Sequence, residues 1–132
     1  TQVAQELLVE QIDAGRVCAN EFHKTYPVTV YFWLKQTELE RWYLYIAADG
    51  VEDIKIGYRE ILRIVGQTNQ WLDPFQIKLV SSNDPVALAA ASIRDRYPAR
   101  VMDTHYNGSW LGEVEIDGAF IYAPLASISA TA

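Results

Sequence analysis

The chain has 132 residues, of which 50% are hydrophobic and 21% charged, a composition typical of one folded domain and not of a disordered segment. Its formal net charge of -6 disfavours nucleic acid and anionic membrane surfaces as partners, because like charges repel. The single cysteine, Cys18, excludes an internal disulfide, so we expect a cytoplasmic protein in which Cys18 is a small buried residue. No apolar run is as long as a membrane span, and the start at Thr1 leaves open whether an upstream segment was removed.

Two amphipathic patterns predict helices in the first half of the chain. Apolar residues recur at helical spacing over residues 2–14, and Gly15 is a plausible stop, so residues 16–26 are predicted to be irregular. A second helix is predicted over residues 53–65, and Gly66 stands where a left-handed cap is expected.

Residues 27–48 contain two aromatic-rich runs, which predict a β-hairpin with a loop at residues 36–40. A register that opposes Lys35 to Arg41 separates an aliphatic face from an aromatic one. The aromatic face then holds four residues: Tyr31, Trp33, Tyr43 and Tyr45. Two interpretations are open, since this face either becomes core under the first helix or the tail, or binds a partner or ligand.

A third strand and a third helix follow. Residues 75–80 alternate apolar and polar side chains as a strand does. Asp84 and Pro85 are a helix start signal, because an aspartate caps free amide hydrogens and proline fits the first helical position. This helix is predicted to continue to about Tyr97.

The last third predicts a three-stranded meander. Asn107-Gly108 and Asp117-Gly118 are both typical of two-residue hairpin turns, and they place Val101, Val114 and Ile121 in one inward row. A crossover from Phe75 to Tyr106 would pair its two strands in parallel, with right-handed connection.

These elements predict an α+β fold. The order is α-β-β-α-β-α-β-β-β, with a mixed, mostly antiparallel sheet of about six strands and helices mainly on one face. Residues 1–124 form one domain in this interpretation, and residues 125–132 form a tail of small residues.

One constellation has catalytic potential. Asp103 and His105 alternate onto the same strand face, and the predicted turn places Trp110 opposite His105. The same register puts Gly112 opposite Asp103 and next to Ala123, which leaves space for a small pocket. A carboxylate beside an imidazole can orient a general base, whereas the structural alternative is a strand end near solvent with His105 stacked on Trp110.

Two weaker candidates have structural explanations. The group Arg94, Arg96 and Arg100 would suit an anion, but positive charge near a helix C-terminus also complements the helix dipole. The amides of residues 81–83 begin a helix, where Asp84 already supplies a negative charge.

The function expected from these patterns is a non-catalytic binding or protein-interaction domain, self-associating or partner-binding through the aromatic face. The chain lacks the phosphate-loop, dinucleotide, zinc and nucleophile-elbow motifs, so we expect no metal or cofactor. The alternative is a small enzyme or ligand-binding protein that uses Asp103, His105 and Trp110.

Overall fold

A computed structural model describes residue 7 and residues 9–39, 41–68, 72–96 and 103–125. These residues contain three α-helices and six strands. In order they are α1 (Val9–His23), β1 (Val28–Gln36), β2 (Tyr43–Ala48), α2 (Ile54–Thr68), a 3-10 turn (Pro74–Gln76), β3 (Ile77–Ser81), α3 (Pro85–Arg94), β4 (Thr104–Tyr106), β5 (Trp110–Leu111) and β6 (Val114–Ile121).

The strands form a mixed sheet, which confirms the predicted α+β class. Its order is β3-β2-β1-β6-β4, and β5 lies off this path, paired with β6. The parallel pair is β2 with β3, joined through α2. The predicted parallel pairing of β3 with β4 is wrong, because these strands lie at opposite edges of the sheet.

Two apolar clusters lie on the two faces of the sheet. On one face, α1 and α2 contribute Cys18, Phe22, Ile61 and Ile64, which pack on alternate residues of β1 and β2. On the other face, α3 contributes Ala87, Ala90 and Ile93. Two of the three helices therefore share a face, and the central strands are covered on both sides.

The predicted register of the first hairpin is wrong by one residue. Tyr31 pairs with Ile46 and Trp33 with Leu44, not with the tyrosines expected opposite them. Helices cover both faces of this hairpin, so an apolar pattern does not distinguish one register from the next. The observed register also removes the unfavourable opposition of two cations, because Lys35 reaches Asp117 at 2.9 Å instead of facing Arg41.

Neither of the two glycines expected to end a helix does so. α1 continues through Gly15 to His23, so residues 16–23 are helical, and α2 continues through Gly66 to Thr68. A Cβ atom at Gly15 would lie 2.6 Å from the Tyr122 hydroxyl oxygen, whereas one at Gly66 would meet nothing within 4 Å. Gly15 therefore serves close packing of α1 on the sheet.

The meander prediction is wrong in two places. β6 runs unbroken through Asp117-Gly118, where a register shift opposite Lys35 and Gln36 makes a bulge instead of a turn. The tight turn instead connects β5 to β6 at residues 112–113, where Gly112 has a φ of 61°. β4 pairs directly with β6, so Asn107-Gly108 does not join adjacent strands, and Val101 lies outside the described residues.

The third helix begins where the sequence predicts. The Asp84 carboxylate accepts hydrogen bonds from the amides of Val86 and Ala87, and Pro85 is the first helical residue. The helix ends at Arg94, and the predicted end at Tyr97 lies outside the described residues. β3 begins at Ile77, two residues later than predicted, because Pro74–Gln76 form the 3-10 turn.

The two helical glycines provide a matched test of this packing. We expect Gly15→Ala to lower the free energy of unfolding by about 1–3 kcal/mol, because the new methyl group overpacks against Tyr122. We expect Gly66→Ala to raise it by about 0.5–1 kcal/mol, because alanine favours the helix and the position is open. Chemical denaturation of both variants measures the difference. Equal effects of the two substitutions would contradict the role given to Gly15.

Candidate functional site

The four aromatic residues predicted to share one surface do not share one. Tyr31 and Trp33 point toward α1 and α2, and Tyr43 and Tyr45 lie on the α3 face. Tyr31, Trp33 and Tyr45 are buried, and Tyr43 is half-buried. The prediction that these four residues form one face of the sheet is therefore wrong, because the observed register places two of them on each face.

A hydrogen-bond chain connects three polar groups on the α1 face of the sheet. The Trp33 indole nitrogen donates to the Tyr122 hydroxyl at 2.8 Å, and that hydroxyl donates to the carbonyl oxygen of Ile12 at 2.6 Å. Tyr31 stacks on Tyr122 with ring centroids 4.2 Å apart. Burial raises the pKa of Tyr31 to about 12, opposed mainly by the charge of Arg16, so Tyr31 is a neutral phenol at physiological pH.

Asp103 belongs to the same assembly. One carboxylate oxygen accepts a hydrogen bond from Arg16 at 2.7 Å, and the other accepts from the backbone amide of Ala123 at 2.8 Å. The Arg16 guanidinium also lies over the Tyr122 ring, 5.0 Å from its centroid. These contacts connect α1 to the end of β6 and occupy both oxygens of the residue proposed as part of a catalytic pair.

The pKa of Asp103 reflects two opposing influences. Partial burial pushes the pKa upward, but the hydrogen bonds from Arg16 and Ala123, together with the Arg16 charge, hold it below its ordinary value. Asp103 is therefore ionised at neutral pH, in the state that its contacts require.

His105 and Trp110 are not brought together as predicted. His105 is exposed and packs edge-on to Phe120, with ring centroids 4.8 Å apart. Its partner across the strands is Phe120, and Asp103 directly precedes β4. Trp110 lies on the separate β5–β6 hairpin, where it pairs with Glu115 and its side chain is 56% exposed.

The predicted pocket beside Asp103 has different neighbours. Gly112 lies against Pro85 and Ala89 of α3, away from the Ala123 amide that Asp103 contacts. Among the described residues, no group of His, Cys, Asp and Glu side chains is arranged to hold a metal ion.

The remaining sequence candidates differ in their surroundings, and Arg96 is exposed. Arg94 donates to the carbonyl oxygen of Thr29 at 2.7 Å and pairs with Asp95, whereas Arg100 lies outside the described residues. Burial raises the pKa of Cys18 to about 12, so its thiol is unreactive at neutral pH.

An apolar groove that the sequence did not predict lies beside α2. Its cavity volume is about 280 Å³. We call it the α2 groove and define it by Tyr58, Ile61, Leu62, Pro74, Phe75 and Ile77. Leu62 is 55% exposed and Phe75 is 85% exposed, so two large apolar side chains at this groove are in contact with water.

The 3-10 turn places Phe75 at the lip of the groove. Asp73 caps this turn by accepting from the Phe75 amide, and Pro74 follows it. Gln76 is buried and donates to the carbonyl oxygen of Trp42 at 2.9 Å. The alternating pattern predicts a strand from residue 75, yet Asp73-Pro74 has the same capping chemistry as Asp84-Pro85. That similarity was the available sequence signal for the turn.

Two outward amides of the edge strand next to the groove already have acceptors within the chain. The Leu79 amide donates to the Tyr58 hydroxyl at 2.9 Å, and the Ile77 amide donates to the carbonyl oxygen of Pro74. A strand added to this edge would need those donors. The α2 groove therefore offers side-chain contacts instead of strand pairing.

Comparisons with known proteins identify no family for this chain. No protein-family model, curated protein or solved structure matches the chain. Within the described ranges, no helix has the length and apolar character needed to cross a membrane.

Acid should reduce the contribution of Asp103 to the free energy of unfolding. Its folded pKa is below the unfolded value of about 3.9, so its stabilisation is complete above that value and is lost as pH falls through the folded pKa. We expect Asp103→Asn to cost about 1 kcal/mol at pH 7, with the difference from the parent shrinking toward pH 3. Denaturant unfolding across this range measures it. A difference that stays constant with pH would contradict the assigned ion pair.

Removing the Tyr58 hydroxyl should expose the β3 edge. We expect Tyr58→Phe to lower the free energy of unfolding by about 1 kcal/mol, because the Leu79 amide loses its acceptor while the ring remains. Hydrogen exchange of the Leu79 amide should accelerate more than that of the Val80 amide, which serves as the internal control. Unchanged protection at Leu79 would show that the hydroxyl does not cover this edge.

Proposed function

We propose that the chain is a non-catalytic protein-interaction domain that binds an apolar segment of another protein in the α2 groove. The observation that carries this proposal is the exposure of Phe75, 85%, beside an apolar cavity of about 280 Å³. Contiguous exposed apolar surface of this kind is typical of interaction sites.

The lining of the groove supports a protein partner over a small polar substrate. Its one side-chain hydroxyl belongs to Tyr58 and already accepts from Leu79. Pockets for small molecules usually place several polar groups to orient the ligand, and they are usually roughly 300–1,000 Å³ in volume. Apolar side chains from a partner need only shape and burial.

The binding surface in this proposal differs from the one expected from sequence. The tyrosine and tryptophan face was the expected partner surface, but Trp33 and Tyr31 are core residues in the observed register. The exposed aromatic side chain at the groove is Phe75, which lies at the β3 edge of the sheet, whereas Asp103 and His105 lie at the opposite, β4 edge.

A selection experiment tests this function. Peptides selected from a displayed random library against the folded domain should carry large apolar residues and should bind the Leu62→Ser/Phe75→Ser variant at least about tenfold more weakly. Both side chains are exposed, so the variant should fold as the parent does.

The matched control is Val9→Ser/Leu88→Ser, which removes two other exposed apolar side chains. Peptide binding should be unchanged in this control. Binders that lose affinity equally in both variants, or the absence of any specific binder, would refute the groove as the interaction site.

A further inference from the structure

Two parallel lines of side chains run along α2 beside the groove. Tyr58 and Leu62, one helical turn apart, form the groove wall. Lys55 and Arg59 are also one turn apart and are exposed. At 3.6 residues per turn, this second pair lies next to the first on its solvent side. The groove therefore has a basic border along its helical wall.

The opposite lip does not cancel this positive charge. Asp73, which caps the 3-10 turn, is paired with Arg41 at 2.9 Å, so that pair is neutral in sum. The ion pair within α2, between Arg63 and Glu60, lies on the side of the helix that Thr25 of the loop after α1 contacts. Glu52 and Asp53 directly precede α2 and are exposed, and the Asp53 carboxylate accepts from the Lys55 amide at the start of the helix. Along the groove wall itself, the charged side chains next to Tyr58 and Leu62 are Lys55 and Arg59, in a chain whose net charge is -6.

We propose that the occupant of the α2 groove is an acidic amphipathic helix of a partner protein. Its large apolar side chains would enter the groove, and carboxylates along one edge would face Lys55 and Arg59. This inference rests on the proposed function and names the chemistry of the partner. Apolar anchors recurring every three or four residues are the usual way in which a helix occupies such a groove.

Two other possible occupants of the groove fit less well, one because of the basic border and the other because of the hydrogen bonds already made along the β3 edge. A second copy related by a two-fold axis would bring two basic borders into one interface, and like charges there are unfavourable. An extended peptide paired to β3 would compete with Tyr58 and Pro74 for the strand amides. Distant acidic residues repel the partner only weakly, because the screening length at physiological salt is about 8 Å.

Two synthetic peptides test the charge selection. One is a short helix with leucine at every groove-facing position and glutamate on its borders, and the other has lysine in place of each glutamate. The full chain should bind the glutamate helix at least about tenfold more tightly at low salt, and this preference should shrink as salt is raised. Fluorescence anisotropy of labelled peptides measures both affinities.

Charge-reversed variants separate this inference from the proposed function. Lys55→Glu/Arg59→Glu should weaken binding of the glutamate helix by about tenfold or more and favour the lysine helix. Lys24→Glu/Arg96→Glu makes the same change in net charge at other exposed positions and should leave the preference intact. Leu62→Ser/Phe75→Ser should weaken binding of both peptides.

Each contrary result has a distinct meaning. A preference that survives Lys55→Glu/Arg59→Glu, or equal binding of both peptides, overturns the acidic partner but keeps the groove as a binding site. Sedimentation that shows a dimer dissociated by Leu62→Ser/Phe75→Ser overturns it in favour of a second copy. Peptide binding that Leu62→Ser/Phe75→Ser does not weaken overturns both this inference and the proposed function.

Discussion

Burial of the central strands on both faces is the constraint on which the rest of this fold depends. Phe32, Trp33 and Leu34 follow one another along β1, and none has measurable exposure to solvent. Successive strand residues point to opposite faces, so such a run requires a helical layer on each side. α1 and α2 form one layer and α3 forms the other.

Covering the sheet on both faces also buries polar side-chain atoms, which then need hydrogen-bond partners within the protein. The Trp33 indole and the Tyr122 hydroxyl lie under α1, and each needs a hydrogen-bond partner because an unpaired polar group in a core is costly. Gly15 allows α1 to approach closely enough for the Tyr122 hydroxyl to reach the carbonyl oxygen of Ile12. Among the described residues, every buried side-chain nitrogen and oxygen has a partner. The close position of α1 on the sheet therefore serves both the packing of the core and the hydrogen bond of the Tyr122 hydroxyl.

The same enclosure moves the candidate binding surface to the edge of the sheet. The aromatic side chains at the centre are used for the two cores, and Asp103 is used to hold α1 to the end of β6. At the β3 edge, by contrast, the 3-10 turn holds Phe75 away from the core while Gln76 is buried behind it. The α2 groove is the consequence, and its basic border follows from the spacing of Lys55 and Arg59 on the helix.

The sequence by itself determined the order of helices and strands, the α+β class and the start of α3. Asp84 and Pro85 satisfy the first amides of a helix wherever that helix packs. Tertiary structure alone decided the β1–β2 register, the bulge at Asp117 and the roles of Gly15 and Phe75. Both faces of the hairpin are apolar, so its register depends on contacts with β6 and the helices, and Asp117 bulges where it reaches Lys35. The groove forms where residues 58–62 lie against residues 74–77. These segments are separated in the sequence, so no local sequence pattern predicts that they are close.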